Sequence, residues 1–325
     1  MTQLNMVQAI NEALRLEMRR DESVVLFGQG IRGNLYGSTK GLLDEYGPDR
    51  IIDTPISENA IGGIALGMAL TGYRPLVETN GGFLCAGFEE TIHLPSHWRL
   101  THGGEVSVPM VTLVNAGGRA GLGTDHGTYP TGLLLQYPGL KIAVPSTPAD
   151  AKGLVTTALR DDDPVFVVKH TSLSGIRGEV PDGEHTVPFG RASVRRAGTD
   201  VTIVASAYST VMALQAAETL EPDVSVEVVD LRTLNPLDES TVLDSVAKTG
   251  RAVVVDDDMR RGGIVAELSA LIMERAFDSL RAPVARVGRD PVPLPAGMIY
   301  EAAVMPSVDS IIDAVRSVAT HVEVA

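Results

Sequence analysis

Ile52-Asp53-Thr54-Pro55-Ile56-Ser57-Glu58-Asn59-Ala60-Ile61 is the stretch on which the fold turns. An apolar strand stops at a Pro-containing turn, and Glu58 opens a Gly- and Ala-rich helix expected to reach about Leu70. A carboxylate at the mouth of a sheet, backed by apolar residues, is partly desolvated and so tends to hold or share a proton near neutral pH. Such a group suits protonation of a ring nitrogen. The segment equally fits a helix-start glutamate that stabilises the positive end of the helix dipole.

On either side, short β-rich runs alternate with helical segments. Val24–Phe27, Pro75–Glu78, Pro109–Val114, Leu140–Val144 and Pro164–Val168 read as strands, near-continuously apolar as in a parallel sheet covered on both faces. A helix is expected from Thr147 to Arg160, with Thr147 as cap, Pro148 in the first helical position and Asp150 in the first turn. The same punctuation recurs at Asn235-Pro236-Leu237-Asp238. From Ser172 to Phe189 the texture is loop-rich, without helical or strand periodicity, and the domain boundary is placed there, giving domains 1–185 and 186–325. A second series follows, with strands at Asp200–Ala205, Ser225–Asp230 and Arg251–Val255 and helices near Ser209–Leu220 and Ile264–Glu274. The expected class is α/β, two open, mainly parallel sheets.

Composition narrows the function. A length of 325 residues suits two domains, and 44% hydrophobic residues with only 4% aromatics imply cores of Val, Leu, Ile and Ala. The net charge of −14 argues against nucleic acid or an anionic membrane as partner. The start of the chain carries no basic region followed by an apolar core, and no run is long enough to span a bilayer, so a cytoplasmic protein is expected. The single cysteine, Cys85, fits a reducing compartment.

Asp53–Ile61, Gly121-Leu-Gly-Thr-Asp-His126, Tyr137-Pro-Gly-Leu140, Ala143-Val-Pro-Ser-Thr-Pro148 and Leu159-Arg-Asp-Asp-Asp-Pro164 agree in order and spacing with one family. The chain resembles, from about Met6 to about Val315, the beta subunits of thiamine-diphosphate 2-oxo acid dehydrogenases of the pyruvate, branched-chain and acetoin type, relatives of transketolase. That resemblance implies a thiamine-diphosphate pyrimidine-binding domain followed by a transketolase C-terminal-like domain. It implies that Glu58 hydrogen-bonds the aminopyrimidine ring and favours the tautomer that removes the thiazolium proton. His126 would contact the substrate and help move a proton or acyl group, and Phe83 and Ile56 would lie against the cofactor. Met110, Ala158, Asp161 and Asp163 match the place where relatives hold a structural potassium ion.

The sequence also departs from the family. Relatives read Gln-His-Ser where this chain has Asp125-His126-Gly127; Asp125 favours the charged imidazole, and the missing hydroxyl removes a hydrogen-bond partner. In Glu78–Phe88 the small residues Gly81, Gly82, Ala86 and Gly87 replace an aromatic-rich segment and are expected to leave a roomier pocket wall, or else simply to meet a turn requirement. His93, His97 and His102 suggest zinc at first sight, but Pro95 is expected to interrupt their helical spacing and no acidic or Cys ligand is near. No Gly-Asp-Gly occurs, so the diphosphate and magnesium half of the site is expected from an alpha subunit.

The expected enzyme is thus the beta subunit of an α2β2 complex that decarboxylates a 2-oxo acid and passes the acyl group to a lipoyl carrier. A carboligase subunit making acyloins, or a non-catalytic scaffold, are the alternatives. Beta–beta pairing would use the surface around Gly262–Glu267. Relatives often read Leu-Asp-Ala-Pro where this chain has Leu280-Arg281-Ala282-Pro283, and the reversed charge is expected to weaken docking to a lipoyl acyltransferase.

Overall fold

In a computed structural model that describes residues 1–321, the chain builds two sheets and a small antiparallel pair. The first sheet has seven strands in the order Thr233–Asn235, Lys141–Ala143, Val165–His170, Val111–Ala116, Arg74–Asn80, Val24–Gly28 and Ile51–Asp53. All neighbours are parallel except Thr233–Asn235, which runs antiparallel on the edge. The second has five, in the order Ala285–Arg289, Ala252–Met259, Val201–Ala205, Val226–Asp230 and Ser193–Arg196, the last antiparallel. Central strands such as Val24–Gly28, Val165–His170 and Val201–Ala205 are buried along their whole length, because helices cover both faces. Burial of each Val or Leu side chain there stabilises the fold by about 1.5–3 kcal/mol.

The helices begin where their capping residues stand. Thr147 accepts the Asp150 N–H and starts Pro148–Arg160, and Asp238 accepts from Thr241 to start Glu239–Thr249. Glu58–Leu70 is the helix expected after the Pro55 turn. One of its glycines has a packing reason, since a Cβ on Gly62 would stand 2.3 Å from Thr91 Oγ1.

Two expectations change. The passage Ser172–Phe189 is not all loop: Arg177–Val180 pairs antiparallel with Thr2–Asn5, a short edge pairing whose partner lies over 170 residues away and leaves no local pattern. Nor does Pro95 interrupt the histidine spacing. It sits in the first turn of Leu94–Thr101, where its missing N–H costs no hydrogen bond, and the His93 and His97 rings stand 4.6 Å apart. His93 bonds Glu89 at 2.9 Å and His102 stacks on Trp98, so these histidines serve a helix surface; no cluster of metal-ligating side chains occurs among the described residues.

The two halves share a core. Val204, Val242 and Val265 from the second half join Val111, Leu154 and Val167 of the first in one buried cluster. The second half also adds Thr233–Asn235 to the edge of the first sheet, beside Lys141–Ala143. No described helix is long and apolar enough to cross a membrane.

Candidate active site

Glu58 is half-buried at the first position of its helix, and Ser57 before it makes no side-chain cap bond. Gln29, immediately after the strand Val24–Gly28, donates its Nε2–H to Glu58 Oε1 at 3.1 Å. Glu58 opens onto a cleft of about 20 Å³ that it shares with Ile61, Val77, Thr79 and Phe83. That space takes roughly one water, and its walls are apolar apart from the carboxylate and two threonines, Thr79 and Thr91. A flat ring edge can enter only where the walls open toward solvent, at the carboxyl ends of the strands where open α/β sheets place ligands.

On the face of the strand Arg74–Asn80 opposite Val77 and Thr79 lies a buried polar cluster. Glu78 accepts from Ser38 at 2.7 Å and from Asn115 at 3.2 Å, with Lys169 Nζ at 3.8 Å. Burial pushes the Lys169 ammonium below its usual pKa, against the pull of Glu78. Tyr36 receives a bond from Asn80 at 3.2 Å, and its phenol is pushed up by burial and then by the carboxylates Glu78 and Glu58. Tyr36 thus feels both carboxylates.

His126 is exposed in the one-turn segment Thr124–Gly127, and its ring meets Phe83 edge-on at 5.1 Å. Phe83 therefore lines the Glu58 cleft on one side and touches His126 on the other, bringing three of the predicted residues to one place. Ile56 is 79% exposed at the rim, on the turn just before Glu58.

The roomier pocket wall does not materialise. A Cβ on Gly81 would lie 2.4 Å from Thr128 O, one on Gly82 would lie 2.2 Å from Asp125 O, and one on Gly87 would lie 2.7 Å from Glu58 O. Backbone fills the space that missing side chains would have freed, so these glycines draw the Phe83, His126 and Glu58 segments together. The glycine pattern is visible in sequence; the neighbouring backbone is not.

The loop carrying His126 is tied mostly to the second half of the chain. Arg119, at φ +82°, makes a two-point bond to Asp257 at 2.7 and 3.0 Å and donates to Pro306 O. Gly121 N–H donates to Glu301, Gly297 N–H donates to Gly121 O, and Thr124 Oγ1 donates to Leu294 O. His170 bonds Asp257 at 2.9 Å and stacks on Tyr208, whose ring also faces the Arg119 guanidinium. Reading by motif passed over Gln29, Tyr36, Asp257 and Glu301. Gln29 could have been found as the residue just after a strand that neighbours the one leading into Glu58, and Asp257 from the acidic run that ends an apolar strand.

That run, Asp256-Asp257-Asp258, splits in protonation. Burial would raise Asp257, but His170 and Arg119 hold it down to about 2. Asp256 is pushed up to about 8 by burial, reinforced by the neighbouring Asp258 and Asp257 charges against the pull of a Ser206 hydrogen bond. Because its folded pKa lies above the ordinary 3.8, Asp256 keeps a proton that the unfolded chain loses; stability is complete below about pH 4 and falls as pH rises toward 8. Asp256→Asn mimics the protonated form, so thermal denaturation should show a gain on the order of a few kcal/mol at pH 8, shrinking toward pH 5. An equal effect at both pH values would refute the assignment.

The residues matched to a potassium ion gather at the carboxyl end of the helix Pro148–Arg160. Leu159 O and Asp161 O both accept from Arg74 Nη1, at 3.3 and 2.8 Å, so these carbonyls converge on one cation-seeking point. Lys141 Nζ lies 2.7 and 2.8 Å from the Asp161 carboxylate and 3.1 Å from Asp163. Ala158 O and Met110 O each accept one backbone N–H and keep a second lone pair. A larger cavity of about 750 Å³ adjoins Lys141 and Asp163 and is walled by Pro95, Leu100, Leu140 and Asn235; neither Glu58 nor His126 reaches it.

This geometry can be set beside known proteins. Residues 2–175 match the family described as transketolase, pyrimidine binding domain, and residues 190–311 match transketolase, C-terminal domain. A pyruvate dehydrogenase E1 component subunit beta of Bacillus subtilis (strain 168) is 41% identical over 323 residues, covering 98% of this chain and 99% of the relative. One from Staphylococcus epidermidis is 43% identical over 292 residues, 88% of this chain and 90% of the relative. The chain belongs to the pyruvate dehydrogenase E1 beta-subunit family. A solved structure described as a split gene transketolase, inactive beta4 tetramer superposes with a TM-score of 0.80 at 23% identity, covering 98% of each chain, which shows the shared fold. Within the E1 beta family, then, the cleft at Glu58 belongs to the pyrimidine-binding domain, and the ties on the His126 loop come largely from the transketolase C-terminal domain.

Proposed function

We propose that this chain is the beta subunit of a heteromeric thiamine-diphosphate enzyme that decarboxylates a 2-oxo acid and passes the acyl group to a lipoyl carrier. The observation that carries the reading is the convergence of Glu58, Phe83 and His126 on one rim at the carboxyl ends of the strands. The bound cofactor supplies a nucleophilic carbon and an electron sink for loss of carbon dioxide. Glu58, steadied by Gln29, gives and takes a proton at the aminopyrimidine nitrogen. Phe83 and the exposed Ile56 offer apolar contact to the ring system, while His126 on the open side positions the 2-oxo acid and moves a proton in the later step. The sequence has no Gly-Asp-Gly, so an alpha subunit contributes the diphosphate and magnesium contacts. Pairing of two beta subunits would use the groove lined by Gly262, Ala266, Glu267 and Leu135.

A second reading, a carboligase without an acyltransferase core, is favoured by one observation. Arg281 is exposed, its stem lies against Gly250, and it edges a groove of about 460 Å³ beside Phe277, which is 64% exposed. A basic side chain there opposes a basic docking domain.

The test is one assay of the chain mixed with its alpha subunit. Release of carbon dioxide from pyruvate or a branched 2-oxo acid, with acylation of a lipoyl domain, supports the main reading; acyloin formation without lipoyl acylation supports the second. No turnover of any 2-oxo acid by a complex with bound cofactor would refute both. Adding an acyltransferase subunit-binding domain reports docking, expected weaker than micromolar. Running the assay and a thermal melt in potassium and then sodium buffer tests Met110, Ala158, Asp161 and Asp163 as an ion site, with higher melting in potassium expected and equal melting contradicting it.

A further inference from the structure

Behind the His126 loop lies a buried carboxylate with one oxygen unused. Glu301 is 0% exposed and comes from the short helix Met298–Ala302 of the second domain. Its Oε2 accepts Gly121 N–H at 2.6 Å, while Oε1 finds no hydrogen-bond partner among the described residues. The free oxygen lies between the two arms of the loop: a Cβ on Gly118 would stand 2.6 Å from it, and one on Gly127 would stand 3.4 Å away. Leaving a buried acceptor unpaired is unfavourable, and such sites mark places where something else is being specified.

The loop needs outside support. Gly117, Arg119, Gly121 and Gly123 stand at φ +94°, +82°, +70° and +77°, a run of left-handed residues with no regular ladder to fix its shape. Arg119 is a strained exception among the glycines, and it is tied to Asp257. The middle of the loop is tied at Gly121, whose N–H goes to Glu301 and whose carbonyl takes the Gly297 N–H at 2.8 Å; Leu122 bridges Ala296 beside it, and Thr124 bonds Leu294 O. Gly297 and Glu301 are the two ends of one helical turn, joined by the Glu301 N–H to Gly297 O bond. That turn clasps the peptide five residues before His126.

We propose that Glu301 is the positioning residue for His126: its carboxylate fixes the loop 117–127 from the second domain, so that the imidazole stands edge-on to Phe83 at the mouth of the Glu58 cleft. The inference rests on the reading of His126 given above. It makes the second domain part of the active site's geometry, though no side chain of that domain needs to touch substrate.

The experiment uses the complex assembled with the alpha subunit and the variants Glu301→Ala, Glu301→Gln and Glu301→Asp. Glutamine keeps an accepting oxygen for Gly121, whereas aspartate is one methylene too short; if the alanine variant does not fold, aspartate takes its place. In Glu301→Ala, amide hydrogen exchange across residues 117–127 should rise at least about tenfold. The kcat for acyl transfer should fall about 100-fold, as a misplacement of about 1 Å costs, with KM within about twofold and exchange of the cofactor's thiazolium proton unchanged. Glu301→Gln should restore kcat to within about threefold of the parent enzyme. Unchanged loop exchange in the alanine or aspartate variant overturns the proposal, and so does thiazolium-proton exchange falling in step with kcat, which would mean general disruption. Normal turnover by His126→Ala would fault the reading of His126 instead, and the loop-exchange result would still decide whether Glu301 holds the loop.

Discussion

Replacing Glu58 by glutamine is expected to abolish exchange of the cofactor's thiazolium proton in the assembled complex and to lower turnover about 1,000-fold or more. The amide has the carboxyl's shape but neither gives nor takes a proton at the aminopyrimidine nitrogen. Assembly should survive, because the side chain is only half-buried and its hydrogen bond, from Gln29 at 3.1 Å, is one that a glutamine oxygen also accepts. Exchange measured by proton NMR after quenching separates this step from all later ones. Normal exchange in Glu58→Gln would mean that another group activates the cofactor.

His126→Ala should leave that exchange intact and slow acyl transfer about 100-fold, because the loss falls on a later proton movement and on orientation of the 2-oxo acid. The structure makes the separation sharp. His126 is exposed and meets Phe83 edge-on, so removing the ring opens the rim of the cleft and leaves the Gln29–Glu58 pair untouched. Rapid-quench measurement of carbon dioxide release against lipoyl acylation locates the slowed step; a parallel loss of cofactor exchange would contradict the assigned role. Both predictions draw on Glu58 and His126, carried by two segments distant in sequence, the turn at Pro55 and the loop at Gly117–Gly127, with Phe83 between them.

Those two segments were legible because each combines an apolar strand with Gly, Pro or charged punctuation at its carboxyl end, a pattern set by local physics. The helix from Glu58 to Leu70 and the Thr147 cap follow from the same rules and are found where expected. Contacts that depend on distant backbone were not legible. Arg177–Val180 pairs with Thr2–Asn5, Gly82 sits against Asp125 O, and Glu301 reaches Gly121 across the domain boundary, each joining stretches whose own composition says nothing of the partner. The glycine-rich wall shows the difference most clearly. Sequence reports the missing side chains, and only the fold reports that neighbouring backbone occupies their volume.

We expect this chain to hold one half of a thiamine-diphosphate site, the pyrimidine half at Glu58 and Phe83. Titration calorimetry of thiamine diphosphate with magnesium into the chain alone, and then into the chain mixed with its alpha subunit, decides it. No measurable binding to the chain alone is expected, and tight binding, one cofactor per alpha–beta pair, to the mixture. Tight one-to-one binding by this chain without a partner would contradict it.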